Sequence, residues 1–598
     1  MHRCLYTEEI LNVIAVKLDK LYYKELVADD LSSGALLDML RLQDFDEGTR
    51  SRKARQKRVS HPVLSFAFTC KTIYWPCMNV LWAEMNDISP LMRLFPPGVC
   101  RKDNNGRWTF LRRPDQPRDW ERFLIYSPRI ENLCVDSTIM SETDLRILAS
   151  CCPTKDAFRY VRSLSWRGDE RYPPVSMRLF VTRALKSMWV LNTDKTATKG
   201  MINSLEMVAK LAPKLENLHI QDAYPVRTVG DAFGKAICST TALTEIDAFE
   251  CPIPDFAIRH LSKLPNLRTL WCSFLGSTTD FGEELRGDKI RLPSLEHMRV
   301  CCSHDIPVSL TSMLKNAYAP KLKNITIATD MHPMAHPTHE LFLGLAENPS
   351  LEEIHFYSIF PPKNDTGDEY IIKEHQLATL YRLPNLTHVA LNRFKIDLRS
   401  SSIASMAEAW PNMVSLDLGD ESGYKKYTVS LQDLQPLATK CRKLRALGIL
   451  VDASHVSAED VAAAERNATR GSAKRLLFGT SPIKNPQRVA KFILCMFPHA
   501  TIMTERFADA KKWEEVNWHL ERARPVSERQ VGREIGPLDF GQSPFLYPQF
   551  NGVDDMLGPL LQMMAKQAGV EMPPRPGMSG MPPMPGFPPG MGMGRGRR

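Results

Sequence analysis

The sequence predicts an α/β fold in which parallel strands alternate with helices along a solenoid, and two observations predict it. First, a unit of proline, any residue, apolar, two residues, apolar, one residue, apolar recurs through the middle of the 598-residue chain. Second, stretches with apolar residues at helical spacing separate these units. One strand and one helix per unit of about 27 residues can bury their apolar faces only against neighbouring units, so the units are expected to stack in one array.

The recurring unit predicts the strands. It reads PKLENLHI at Pro213, and related units start at Pro265, Pro293, Pro320, Pro349, Pro384 and Pro411. Two variants without proline join them, and the first apolar residue of each unit is Leu215, Leu243, Leu267, Leu295, Leu322, Leu351, Leu386, Met413 or Leu444. Apolar residues two apart point to the same side of a strand, and proline fits a strand start whose N–H is not needed in a ladder. Each unit is therefore predicted to open with a short strand.

The stretches between the units predict the helices. LEMVAKLAP before Leu215, DFAIRHLSKLP before Leu267 and HELFLGLAENP before Leu351 carry apolar residues three and four apart. Strands are therefore expected on the inner, concave side and helices on the outer side. This pattern resembles the leucine-rich-repeat family in its irregular, long form, and the resemblance implies a scaffold for binding other proteins.

The array is predicted to extend beyond the clearest units at both ends. SPRIENLCV at Ser127 and VRSLSW at Val161 have the same form, and KRLLFGTSPI from Lys474 and FPHATIM from Phe497 are weaker examples. A following helix with Trp513, Val516 and Leu520 at three and four spacing is expected to cap the array.

These patterns give a domain plan. The solenoid is expected over residues 126–505 and its capping helix over 506–524, with a linker over 96–125. Residues 525–598 end in a Pro-, Met- and Gly-rich stretch and are expected to be mostly disordered, because this composition buries little apolar surface.

The N-terminal residues 1–95 carry a different signal. EEILNVIAVKL from Glu8 is an amphipathic helix pattern, and a second apolar segment from Leu64 contains the pair Cys70 and Lys71. The two segments resemble a split F-box, similar to F-box proteins of mushroom-forming fungi that also carry irregular leucine-rich repeats. The chain departs from that pattern where Tyr6 and Thr7 replace the usual Leu-Pro pair and where an insert at about residues 19–62 divides the motif.

The resemblance implies a substrate-recognition subunit of a ubiquitin ligase. The small all-α bundle would bind the Skp adaptor and, through it, a cullin ligase, while the repeats would hold a protein substrate. The adaptor-binding residues it implies are Ile10, Leu11, Ile14, Leu18, Phe68, Cys70 and Ile73. Two alternatives stay open, namely that the apolar helix face simply packs inside its own domain, and that the chain is a repeat scaffold without an adaptor.

The repeats also predict which side chains face outward on the strands. The residue between the last two apolar positions of each unit is His219, Asp247, Trp271, Arg299, Thr326, His355, Ala390 or Asp417. Trp271 between Asp247 and Arg299 is typical of an interface hot spot, although a solvated strand with an incidental tryptophan stays open. The predicted substrate-binding residues are His219, Asp247, Trp271, Arg299, His355 and Asp417.

Charge and cysteine content limit the class of protein. Lys and Arg total 77 against 68 Asp and Glu, a formal net charge of +9, and the basic residues cluster in RSRKARQKR from Arg50 to Arg58. We interpret this run as a solvated loop, with nuclear import or nucleic-acid binding as alternatives. No aromatic residue interleaves with the basic residues as single-strand stacking would require, so nucleic-acid binding is not favoured.

Fourteen cysteines without a CxxC pair favour the reducing cytoplasm or nucleus, and no stretch suits a membrane span or signal peptide.

The sequence contains no convincing catalytic or cofactor motif. Phosphate-loop, zinc-helix and nucleophile-elbow patterns are absent from it. His332, His336 and His339 come closest to a metal site, but Pro333 and Pro337 argue against a helix there, so three loop histidines are expected. The prediction is a non-enzymatic protein without a cofactor or metal.

Overall fold

The computed structural model describes most of the chain from residue 8 to residue 524. The described residues are 8–31, 62–167, 175–191, 198–221, 227–274, 290–302, 306, 308–329, 332–358, 367–392, 394–418, 428–466, 470–503 and 510–524. The predicted insert at about residues 19–62 lies largely outside them, and the predicted tail at 525–598 lies entirely outside them.

One large parallel sheet organises the chain. Its fifteen strands follow the chain in sequence order, and each is hydrogen-bonded to the strand of the neighbouring unit. The strands of this sheet are β1 (Glu84–Met85), β4 (Asn132–Asp136), β5 (Ser163–Arg167), β6 (Ser187–Leu191), β7 (Asn217–Gln221), β8 (Glu245–Pro252), β9 (Thr269–Phe274), β11 (His297–Cys302), β13 (Asn324–Thr329), β14 (Glu353–Ser358), β16 (His388–Asn392), β18 (Ser415–Leu418), β19 (Ala446–Ile449), β20 (Arg475–Leu477) and β21 (Thr501–Ile502). The predicted α/β solenoid, in which parallel strands alternate with helices, is confirmed.

Six short strands form three further pairs outside the large sheet. They are β2 (Cys100–Lys102) with β3 (Trp108–Phe110), β10 (Ile290–Arg291) with β12 (Ala317–Tyr318), and β15 (Ile371–Lys373) with β17 (Lys395–Asp397). The first pair is an antiparallel hairpin. Its turn contains Gly106, whose φ of +77° is a conformation that glycine adopts without strain.

Helices separate most of the strands and pack on one side of the sheet. In chain order they are α1 (Glu8–Leu31), α2 (Pro62–Ala67), α3 (Lys71–Ala83), α4 (Ser89–Met92), α5 (Pro117–Tyr126), α6 (Glu142–Cys151), α7 (Thr198–Leu211), α8 (Arg227–Ser239), α9 (Asp255–Leu261), α10 (Val308–Asn316), α11 (Ala335–Ala346), α12 (Glu374–Leu377), α13 (Ser400–Ala409), α14 (Gln435–Lys440), α15 (Ala458–Arg466), α16 (Pro486–Met496) and α17 (Ala510–Ala523). None of the helices in the described ranges is long and apolar enough to cross a bilayer.

The hydrophobic core lies between the sheet and these helices. In β7, Leu218 and Ile220 are buried against it together with Leu205 and Val208 of α7. The side chains between them point to the opposite side of the sheet, which we call the open face. In β7 the side chains therefore alternate as the sequence predicts, whereas all four residues of β18 and of β19 are buried.

The structure refines the position of proline in the repeat. Pro213 lies in a turn, and strand β7 begins four residues later at Asn217. Proline is therefore not the first strand residue. It ends the preceding helical segment and enters the turn, where its missing N–H and fixed φ are tolerated.

The segment 96–125 differs from the linker that the sequence suggested. It holds the hairpin β2–β3 and helix α5, and Trp108 and Trp120 are buried in the main core. The indole of Trp120 donates a hydrogen bond to the Pro114 carbonyl at 2.8 Å. A buried aromatic pair fixes this segment to the first repeats, so it is part of the packed fold.

Helix α8 packs closely on strand β8 through a glycine. A Cβ added at Gly230 would lie 2.7 Å from the backbone oxygen of Pro252. Alanine is favoured over glycine in a helix by about 1 kcal/mol, but overpacking against backbone costs about 1–3 kcal/mol. We expect Gly230→Ala to lower the melting temperature, whereas Lys235→Ala at an exposed position of the same helix leaves it nearly unchanged in thermal unfolding. A stabilised Gly230→Ala protein would contradict this packing.

Candidate functional site

The predicted outward-facing side chains form one row across the open face. Register partners on successive strands are Cys134, Ser165, Trp189, His219, Asp247, Trp271, Arg299, Thr326, His355, Ala390, Asp417, Gly448 and Leu477. All eight residues named from the repeat pattern occur in this row, in order and on neighbouring strands. Their role in binding stays a prediction.

Trp189 is a member of this row that the repeat pattern missed. Its strand β6 belongs to the unit ALKSMWVL, which has the apolar spacing of the repeat at Leu185, Met188 and Val190 but no proline. The indole is 36% exposed and stacks on the His219 imidazole, with ring centroids 3.9 Å apart and planes 12° apart. The apolar spacing alone, without the proline, is the sequence signal that identifies Trp189 as a member of the row.

The stack continues into a histidine–carboxylate contact. His219 Nδ1 lies 3.5 Å from Asp247 Oδ2, and His219 is buried under Trp189. On the other side of Asp247, the Arg299 guanidinium lies 5.7 Å from the centroid of the Trp271 ring. Trp189, His219, Asp247, Trp271 and Arg299 thus form a continuous set of planar and charged side chains, which we call the aromatic strip.

A second polar group lies farther along the open face. The Glu353 carboxylate lies 3.7 Å from His355 Nε2 and 3.6 Å from His388 Nδ1, and it accepts a 2.7 Å hydrogen bond from Asn324. Burial acts to raise the pKa of the Glu353 carboxyl, but His355, His388 and His297 outweigh it and lower that pKa. Burial also lowers the pKa of His388, and the Glu353 charge only partly opposes this.

These shifts predict acid sensitivity. An acid whose pKa is lowered on folding stabilises the fold above its ordinary value of 4.5, and this contribution is lost as pH falls further. The lowered pKa of His388 acts in the same direction as pH falls through 6.5. We expect Glu353→Gln to reduce stability at pH 7 by about 1 kcal/mol and to flatten the loss between about pH 5 and 3.5, measured by urea unfolding.

A matched control is available for this measurement. Glu408 forms an exposed ion pair with Lys440 at 2.7 Å, and exposed pairs contribute little to stability. Lys440 lowers the pKa of Glu408, but solvent screens this exposed pair, so Glu408→Gln should change the pH profile much less than Glu353→Gln. Identical profiles for the wild type and Glu353→Gln would show that the histidine contacts do not hold the carboxylate in its charged form.

At the C-terminal end of the row, Asp417 is nearly buried. Its register partner on β19 is Gly448, and a Cβ at Gly448 would overlap the Asp417 carboxylate. A side chain at position 448 would displace the Asp417 carboxylate. Because that carboxylate lies over Gly448 and is 9% exposed, Asp417 offers little surface to a partner.

The predicted adaptor residues fall into three groups by exposure. Leu11 and Ile73 are 0% and 4% exposed and pack in the core of the N-terminal helical cluster with Ala15, Val63, Ala67, Cys77 and Met78, which fits the alternative that this apolar face packs inside its own domain. Ile14, Leu18 and Cys70 are half-buried. Ile10 is 40% and Phe68 72% exposed.

Further apolar side chains join the exposed group. They are Val13 and Val16 on α1, Leu64 on α2 and Trp75 on α3, each between 38% and 55% exposed. Ile10, Val13, Val16, Leu64, Phe68 and Trp75 are called the N-terminal apolar set below. The periodicity of the sequence identifies the face of α1 that packs in the core of the helical cluster. It does not show that other apolar side chains of the same helix are exposed to solvent.

The N-terminal helical cluster is fixed to the first repeats. Helix α3 runs directly into β1, whose Glu84 pairs with Asn132 of β4. Tyr126 stacks on Trp82 with centroids 4.7 Å apart, and its hydroxyl lies 3.0 Å from that of Tyr74. The described helices of this cluster and the start of the sheet therefore form one packed body.

The three histidines that come closest to a metal pattern lie in different surroundings. His332 is buried against Phe394, whereas His336 and His339 lie in helix α11, so the loop prediction is wrong for these two. Pro337 is the third residue of that helix, where its missing N–H has no intrahelical partner to lose. Within the described ranges, no group of three His, Cys, Asp or Glu side chains is placed to hold a metal ion.

The described cysteines are in the thiol form. Burial raises the pKa of the Cys77, Cys100, Cys134 and Cys441 thiols to about 11. A thiol with such a pKa is protonated at neutral pH and is a poor nucleophile. These four side chains therefore serve packing.

The comparisons with known proteins find distant structural likeness and no sequence relative. No protein-family model matches the chain, and no curated protein sequence matches it. An internalin, InlF, from Listeria monocytogenes is 12% identical and has a TM-score of 0.34, with 61% of this chain and 94% of that chain covered.

Two further structures are similar at the same low level. In the complex of Rad7 and Elc1 from yeast, the matched chain is 14% identical with a TM-score of 0.30, covering 68% of this chain and 92% of that chain. The plant peptide hormone receptor RGFR1, solved in complex with RGF2, is 12% identical with a TM-score of 0.28, and 58% of this chain and 52% of that chain are covered.

Proposed function

We propose that this chain is a non-catalytic substrate-recognition subunit of a Skp/cullin/F-box ubiquitin ligase. Its N-terminal helical cluster binds the Skp adaptor, and its repeats bind a protein substrate on the open face. The residues that resemble an F-box string lie on helix α1 and around the start of α3, and α1 to α3 with the turn between α2 and α3 carry the N-terminal apolar set. In the cell, such a subunit acts in the cytoplasm or nucleus.

The exposed apolar set is the observation that carries the proposal. Val13 on α1 is 55% exposed and Phe68, in the turn between α2 and α3, is 72% exposed, although the cluster has a closed core of its own. Single exposed apolar residues need no explanation, but six on three adjacent helices and this turn favour a protein partner that covers them. A partner with an apolar groove would gain most of its binding free energy here.

The packed connection to the sheet supports a bridging role. The Arg129 guanidinium lies 4.5 Å from the centroid of the Trp75 ring and also bonds the Asn79 side chain, which ties α3 to the turn before β4. An adaptor on α1 to α3 is then held at a defined distance from a substrate on the open face. This raises the effective concentration of substrate lysines at the recruited conjugating enzyme.

The adaptor step is tested with exposed rather than buried residues. We expect the full-length wild type to co-purify with the Skp adaptor, and the double variant Val13→Asp, Phe68→Asp to bind at least tenfold more weakly, because charge is placed in a contact that excludes water. Its circular dichroism and melting temperature should stay close to those of the wild type, since both positions are solvated in the free protein. Leu11→Asp, which buries a charge, should instead unfold the cluster.

A substitution at another exposed aromatic residue separates specific adaptor binding from nonspecific hydrophobic binding. Tyr318 is 56% exposed on β12, far along the chain from the cluster, and Tyr318→Asp should bind the adaptor like the wild type. If the folded wild type does not bind the adaptor, the ligase proposal fails and a repeat scaffold without an adaptor replaces it. Binding that falls steeply with salt would instead indicate a basic, nucleic-acid-type contact.

A further inference from the structure

The aromatic strip has opposite charges on two strands that are separated by a third. Strand β8 presents Glu245 and Asp247 on the open face, and β11 presents His297 and Arg299 there. Between them, β9 contributes Thr269 and Trp271. The face is therefore negative on one side of an indole and positive on the other.

Side-chain contacts orient both charges around that indole. Arg299 lies against the Trp271 ring at 5.7 Å, so its guanidinium is held beside β9. Asp247 has its side chain 27% exposed and lies 3.5 Å from His219, which contacts one of its two oxygens. Glu245, two residues earlier on the same strand, adds a second carboxylate on the same side.

The distance between strands sets how far apart the complementary charges of a ligand must be. Neighbouring strands lie about 4.8 Å apart, so the β8 and β11 side chains are separated by about 10 Å across the sheet. Three residues of a polyproline-type peptide advance about 9 Å and return its side chain to the same face. A peptide that crosses the strands can therefore place residues i and i+3 over β8 and β11.

The charges also discriminate between classes of ligand. Two carboxylates on β8 repel a nucleic-acid backbone or an anionic membrane surface, both of which need a continuous basic surface. They attract a lysine or arginine side chain, and Trp271 lies beside it on the next strand. The arrangement is complementary to a segment of mixed charge.

We propose that the aromatic strip binds an extended peptide segment of the substrate in which a basic residue and an acidic residue stand three positions apart. The basic side chain contacts Glu245 and Asp247, the acidic side chain contacts Arg299, and the residues between them pack on Trp271. This inference rests on the proposed substrate-binding role of the open face, and it defines the substrate class by its charge spacing.

A peptide selection tests the charge spacing without the adaptor. A phage-displayed library of random twelve-residue peptides is selected on the immobilised full-length protein, and peptides with a basic and an acidic residue three apart should be enriched. A selected peptide should lose at least tenfold in affinity for Asp247→Lys. Replacing its basic residue by glutamate should restore binding to Asp247→Lys and not to the wild type.

The charge reversal keeps the test independent of folding. A variant that had merely unfolded would not regain affinity for the reversed peptide. Glu465→Lys, at an exposed position of helix α15 away from the open face, serves as a control that keeps the wild-type preference. Selection without this spacing, or a spacing that persists with Asp247→Lys, overturns the inference. Asp247→Lys should bind the Skp adaptor like the wild type, so failure of the peptide test is distinguishable from failure of the ligase proposal.

Discussion

A chain that ends after Met503 is expected to lose about 4.5–9 kcal/mol of stability, whereas a chain that ends after Arg524 should unfold like the full-length protein. The difference is helix α17, which covers the last strands of the sheet. Its Trp513, Val516 and Leu520 are 2%, 0% and 1% exposed. Full burial of side chains of this size contributes about 1.5–3 kcal/mol each, which gives the expected range.

Helix α17 also closes the hydrogen-bonding edge of the sheet. The Asn517 side chain accepts a bond from the Ile502 N–H at 2.7 Å and donates to the Ile502 carbonyl, so it occupies the place of a further strand. Trp513 Nε1 donates to the Ser481 carbonyl at 3.0 Å. Without these contacts, β21 becomes an open edge and a site for aggregation.

Urea unfolding and size-exclusion chromatography of the two truncated chains measure this effect. The chain that ends after Met503 should unfold at lower urea and elute partly as aggregates. A further variant, Asn517→Ala in the full-length chain, should lose only the edge contacts and lie between the two. Equal midpoints for both truncated chains would mean that α17 does not cap the sheet.

The sequence predicts the residues of the open face better than it predicts which apolar side chains are covered. The row of open-face residues was predictable because a strand period of two fixes which side chains face away from the core, and the repeat fixes their neighbours. His219, Asp247, Trp271 and Arg299 were located in this way. Trp189 was missed because β6 lacks the proline used to recognise the repeat, although its apolar spacing is intact.

The N-terminal residues show where periodicity stops being sufficient. A helix pattern identifies an apolar face but not what covers it, so Leu11 and Ile73 were assigned to a partner although their own domain buries them. Proline was also given too much weight: Pro337 fits the first turn of α11, and His336 and His339 are helical. The segment 96–125 has no repeat pattern, yet tertiary packing of Trp108 and Trp120 orders it.

Trp166→Ala is expected to lower the free energy of unfolding by about 3–5 kcal/mol, the second large effect that the structure predicts. Trp166 lies on β5, is 0% exposed, and has its ring centroid 6.1 Å from that of Phe180. Phe180 in turn lies 4.8 Å from Phe158, so the indole fills the centre of an aromatic group under the first repeats. Its removal leaves a cavity that these fixed rings cannot close.

The indole nitrogen provides an internal control for this prediction. Trp166 Nε1 is buried and has no hydrogen-bond partner within the described ranges, so Trp166→Phe removes an unsatisfied donor while keeping an aromatic ring. We expect this change to cost less than about 2 kcal/mol. The same change at Trp513 breaks a bond to the Ser481 carbonyl and should be the more damaging of the two in urea unfolding. Trp166 and Trp513 are 0% and 2% exposed, so the two sites differ mainly in the hydrogen bond of the indole. Equal losses of stability for the two phenylalanine variants would show that the volume of the indole, and not its hydrogen bonding, decides stability at both sites.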